Sequence, residues 1–193
     1  MRFHFRFFAL LISLAAGGSL SAQSQTYKNV GRTPTPEEIR AMDIAIGTDG
    51  KELPPGNGNA KTGAKIFSEK GRACHGENRE GSAQAPALVG GKGTLTSMHP
   101  MMTAGSYWPF ATTIFDYIRR AMPRYQEGSL KTDEVYSLTA FILYRNDIVK
   151  EDDVIDAATL PKIVMPNRNG FIPQNLDEIQ DWKKRGCKIG HCP

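Results

Sequence analysis

The chain has 193 residues, of which 40% are hydrophobic and 23% charged, values close to those of an ordinary soluble globular protein with one compact domain. Its formal charge is +4, and two of those units, Arg2 and Arg6, lie in a leader expected to be removed. The remaining excess is too small to argue for a nucleic-acid partner. What remains is local, with Lys183, Lys184, Arg185 and Lys188 crowding the C-terminus as a solvated basic tail.

Residues 1–22 read as a secretory signal peptide. Arg2 and Arg6 precede an apolar run from Phe7 to Ala16, and small residues follow, with cleavage expected near Ser21 or Ala22. The run is shorter than the roughly 18 residues a membrane span requires. No later stretch is apolar and long enough, so the mature chain is expected in an oxidising compartment without a membrane span, in a bacterium the periplasm. Residues 23–59 form an N-terminal arm broken by Pro34, Pro36, Pro54 and Pro55 and by Gly50, Gly56 and Gly58. One short helix is predicted inside it, capped by Thr35, opened by Pro36, Glu37 and Glu38, and carrying Ile39, Met42 and Ile46 at helical spacing.

A helix is predicted from about Ala60 to Lys70, with Gly63, Ile66 and Phe67 on one face and Gly63 leaving room for a close helix crossing. It delivers the chain to Gly71-Arg72-Ala73-Cys74-His75. Cys-x-x-Cys-His attaches c-type haem, and here only its second half is present, because position 71 is Gly. Cys74 can supply one thioether and His75 an iron ligand. The Ala85-Pro86-Ala87-Leu88 loop follows, and a carbonyl of Pro86 or a neighbour is placed to accept the other ring N–H of the histidine and fix its orientation.

Residues 92–108 read as loop, with Met98, His99, Met101 and Met102 as chance ligands. Pro109 to Ala121 reads as a helix with Phe110, Ile114, Phe115, Ile118 and Ala121 on its apolar face. It stops at Met122-Pro123, where the proline holds Met122 in an extended corner suited to a weak thioether ligand. A last helix is predicted over about 133–146, capped by Thr132, burying Val135, Leu138, Phe141, Ile142 and Tyr144, with Ala140 facing Gly63. Residues 151–193 are Pro-rich and expected to wrap the core.

This order of elements resembles a class I cytochrome c over residues 60–150. The stretches Gly105 to Thr113, Asp116 to Pro123 and Met165 to Phe171 resemble the SoxD-type cytochrome subunits of sulfite- or sulfane-sulfur-oxidising molybdenum enzymes, and that similarity runs from about Val30 to the end. The resemblance implies an all-α, cytochrome c-like haem domain between extended N- and C-terminal arms. It further implies one haem c, with His75 and Met122 as axial ligands. A haem between Ile66, Leu88, Trp108 and Ile118 would supply core that a unit of this size otherwise lacks. With Pro86, these residues complete the cofactor-binding set.

Cys187 and Cys192 are close enough in sequence for a small-loop disulfide, which leaves Cys74 either as a free thiol or as the single haem thioether. A zinc site built from Cys74, His75, Cys187, His191 and Cys192 lacks the paired spacing of structural zinc. Nothing in the chain supplies an acid–base pair, a positioned nucleophile or an open metal site, so an electron carrier rather than an enzyme is expected. Its partners would be a molybdenum sulfite-oxidase-like dehydrogenase and another cytochrome, reached across a rim carrying Arg79, Arg120 and Arg124. The alternatives are a haem-less structural subunit of an oxidoreductase complex and a cytochrome partner of a quinoprotein dehydrogenase.

Overall fold

The computed structural model describes residues 30–171. In chain order it contains α1 (Pro36–Met42), β1 (Asn57–Gly58), α2 (Ala60–Lys70), α3 (Arg72–His75), α4 (Ala111–Ala121), α5 (Thr132–Arg145), β2 (Ile155–Asp156) and a 3-10 turn at Leu160–Lys162. The chain divides between Met42 and Asp43 into two units. The leader at 1–22 and the Cys187–Cys192 pair lie outside the described residues.

α1 forms for a local reason. Thr35 and Glu38 close a reciprocal cap, Glu38 N donating to Thr35 Oγ1 at 3.2 Å and Thr35 N to Glu38 Oε2 at 2.8 Å. It buries none of its residues. The helix ends before Ile46, whose side chain is buried in the second unit, so Ile39, Met42 and Ile46 do not share one buried helical face.

The second unit is built on α5. α2 starts at the Asn59 cap, whose side chain accepts from Thr62 N at 2.9 Å, and crosses α5 at Gly63. A Cβ on Gly63 would stand 1.9 Å from the Ser137 carbonyl oxygen and 2.7 Å from Phe141 Cβ. The atoms nearest to that Cβ belong to the Ser137 backbone and Phe141. Phe67 of α2 then packs on Phe141 with ring centroids 5.4 Å apart.

α4 packs on another side of α5, with Phe115 and Tyr136 centroids 4.5 Å apart. It starts at Ala111 rather than Pro109, because Phe110 is extended and bridges to Val164. α5 opens one residue early, with Lys131 as cap and Glu134 accepting from Lys131 N at 2.8 Å. It is buried without interruption from Val135 to Leu143, and an amphipathic reading misses Tyr136 and Thr139. The cause is β1, which pairs antiparallel with β2 and lies so close that a Cβ on Gly58 would sit 2.3 Å from Ser137 N. The Tyr136 hydroxyl donates to Pro54 O at 2.9 Å, and burial pushes its pKa up to about 12.

Candidate functional site

The end of α2 sets the position of everything that follows. Gly71 N donates to Phe67 O at 2.8 Å and the backbone continues into α3, placing Cys74 exposed and His75 buried at its end. Gly76 turns the chain at a φ of +82°, and Gly81 N returns to His75 O at 2.9 Å. Leu88 N donates to Arg79 O at 2.9 Å, which seats the Pro86–Leu88 strand against this turn.

That seating brings Pro86 O to 3.0 Å from His75 Nδ1. A carbonyl only accepts, so Nδ1 carries the proton and Nε2 presents a lone pair. An imidazole held in this tautomer by a backbone carbonyl is the arrangement a metal-binding histidine needs.

Met122 ends α4 at φ −124° and ψ 150°, and Met122 N still donates to Ile118 O at 3.1 Å. Its side chain lines a mostly apolar cleft with Leu88, Trp108, Ile118 and Ile142. A second apolar space shares Ile118, Met122 and Ile142 in its lining and is also lined by Phe67 and Gly71. Trp108 is held edge-on to Tyr117, with centroids 5.5 Å apart. Two apolar spaces that share Met122 in their walls, one lined by Pro86–Leu88 and the other by the end of α2, suit a large apolar group. His75 and Cys74 line neither space; His75 is tied to the cleft wall through Pro86, and Met122 is the predicted ligand that lines it.

The other residues expected here are distributed differently. Pro86, Leu88, Trp108 and Ile118 line the cleft, whereas Ile66 is half-buried and does not. Met102 joins the lining, while Met98 and Met101 are exposed outside it and Met165 is buried in the core. Among the described residues no group of three or more His, Cys, Asp or Glu side chains could hold a metal ion. Arg79, placed on the exposed rim by sequence, is instead buried, because its carbonyl is tied to Leu88 and its chain turns inward. Arg120 is exposed but engaged, its Nε donating to Asp116 Oδ1 at 2.9 Å, and Arg124 lies 5.0 Å over the Tyr125 ring.

Asp116 was missed by the sequence reading. It lies on the buried side of α4 and also accepts from Ile46 N at 2.9 Å, so it ties the segment after Met42 to the cleft helix. Burial alone would raise its pKa, but the Arg120 guanidinium and the Ile46 N–H together hold the carboxyl below its ordinary value. Its spacing four residues before Arg120 was the available signal.

The family model for cytochrome c matches residues 60–146. A chain in the crystal structure of the sulfane dehydrogenase SoxCD from Paracoccus pantotrophus is 38% identical, with a TM-score of 0.73 over 86% of this chain and 82% of that one. The chain belongs to the cytochrome c family. Comparison with curated proteins gave no match. Membership indicates an electron-transfer protein and implies covalently bound haem c, and the helical architecture of this cytochrome is that of the family. No helix among the described residues is long and apolar enough to cross a membrane.

Proposed function

We propose that this cytochrome is a periplasmic carrier with one haem, which takes electrons from a molybdenum-dependent sulfur-compound dehydrogenase and passes them to a second cytochrome of the respiratory chain. The observation that carries the reading is the His75 imidazole oriented by Pro86, a residue that lines the same apolar cleft as Met122. Its likeness to a chain of the SoxCD sulfane dehydrogenase supports the class of donor. When bound, haem supplies a single iron that cycles between ferric and ferrous states.

The chain's own residues define how that iron is used. His75 would hold the iron through Nε2, with Pro86 O keeping the ring from turning. Met122 would offer the iron a soft thioether, which favours the ferrous state and electron transfer over oxygen chemistry. Leu88, Trp108, Ile118 and Ile142 exclude water from the cleft. Cys74 is exposed on α3 and supplies one thioether, while Gly71 supplies none.

The test uses protein purified from its native periplasm. Expected are co-purification with a molybdenum enzyme and haem reduction on adding sulfite or a sulfane-sulfur compound. Reduction only by a quinoprotein alcohol dehydrogenase would reassign the donor, and a haem protein that no dehydrogenase reduces would remove the carrier role. One observation favours a second reading, a haem-less structural subunit: a Cβ at position 71 would lie 2.6 Å from the Phe67 ring, so the first half of the attachment motif has no ready space. A folded but colourless protein would establish that reading.

A further inference from the structure

Arg79 carries two costs that its fold does not require. Its residue is only 8% exposed, and its Nε finds no hydrogen-bond partner. Among the described residues no carboxylate lies within ion-pair distance of it. Its backbone stands at a φ of +63°, the left-handed region that side chains rarely adopt. A buried unpaired cation and an unfavourable backbone at one position mark a site held by the surrounding structure for a purpose.

The surroundings indicate which purpose. The guanidinium lies 5.3 Å from the Phe141 ring centroid and 6.0 Å from that of Phe67, whose ring in turn lies 6.4 Å from the His75 imidazole. Arg79 N donates to Gly76 O at 3.2 Å and Arg79 O accepts from Leu88 N at 2.9 Å. The same turn and strand that orient His75 therefore hold this charge. Burial is the largest influence on it and lowers its pKa, the neighbouring Arg145 adds to that, and Glu80 opposes it. An arginine nevertheless keeps its proton at neutral pH.

We propose that Arg79 sets the redox potential of the site, as a buried cation on the His75 side that disfavours ferric iron and so raises the midpoint potential. The proposal rests on the reading of His75 as iron ligand. Loss of one electron to a partner adds one positive charge at the iron. A fixed cation against the Phe67 ring, which itself neighbours the His75 imidazole, opposes the change. The rim arginines cannot act this way, because solvent and salt screen them.

Spectroelectrochemical titration of the haem-loaded protein tests this with Arg79→Met, Arg79→Gln as a second neutral variant, Arg79→Lys and, as an exposed control, Arg145→Met. At a fixed ambient potential the neutral variants should raise the ferric-to-ferrous ratio about tenfold, the effect of a unit charge at about 12 Å and an effective dielectric of about 20. Arg79→Lys should stay within about twofold of the wild type, and Arg145→Met should change the ratio less than the neutral Arg79 variants do. Neutral variants that keep the wild-type potential in a red protein overturn the inference alone. An Arg79→Lys shift as large as that of Arg79→Met would assign the effect to packing and overturn it too. A wild-type protein without a Soret band overturns the carrier reading and this inference with it.

Discussion

At the scale of single residues the proposed haem site gives Cys74, Met122 and Asp116 separable roles. Cys74→Ser should leave a protein from which haem extracts completely into acidified organic solvent, because position 71 provides no second thioether. In the wild type the pyridine haemochrome band should fall between those of doubly attached and unattached haem. Met122→Ala should lower the potential and erase the near-infrared sulfur-to-iron band of the ferric protein, while Met165→Ala, in the core, should leave that band in place. Asp116 contributes a pH dependence. Its carboxyl is held below its ordinary value, so its stabilisation is fully present above an unfolded pKa of about 3.9 and disappears as the pH falls through the lower folded value. Asp116→Asn should cost about 1 kcal/mol at neutral pH and flatten the acid limb of the stability profile, read from urea unfolding at a series of pH values.

At the scale of elements the crossing of α2 over α5 is the contact the cleft depends on. Gly63 allows it, and Gly63→Ala should destabilise the protein by about 1–3 kcal/mol, because the added carbon meets the Ser137 carbonyl, a backbone atom that cannot move without displacing α5. Thermal unfolding would measure this. Loss of the Phe67–Phe141 contact should accompany it, since Phe141 lies at the crossing and Phe67 one turn beyond it. The helices themselves were legible in the sequence, because α2, α4 and α5 each carry a cap or an apolar stripe of helical period. Their ends were less so. Phe110 is drawn into a bridge with Val164, and α5 is covered on all sides by segments far away in the chain, which erases the polar face that a surface helix would show.

At the scale of the whole molecule the described part of the C-terminal extension helps to shape the cleft wall. Asn167 Nδ2 donates to Tyr107 O at 2.6 Å, the Arg168 guanidinium lies 4.0 Å over the Phe110 ring, and Tyr107 meets Phe171 with centroids 5.2 Å apart. These contacts brace the loop that carries Trp108. Arg168→Ala together with Asn167→Ala should loosen that loop and increase solvent access to the haem, seen as faster loss of the Met122 ligand signal to added cyanide. Partner association should be faster at low salt if exposed charges such as Arg124 steer it, and stopped-flow reduction by the dehydrogenase at increasing ionic strength measures this.

By itself the sequence determined the elements and the chemistry: a half-motif with one cysteine and one histidine, a methionine before proline, and helical periods that allow only a few ways of packing. These are local properties, set by side-chain type and spacing within a few residues. Only the tertiary structure decided that Asp116 ties Ile46 to the cleft helix, and that Arg79 turns inward onto Phe67 and Phe141 rather than outward to the rim. Each of these depends on segments distant in sequence meeting at one place. A charged residue in a turn has the same local preference whether it faces water or two aromatic rings, and packing alone separates the outcomes.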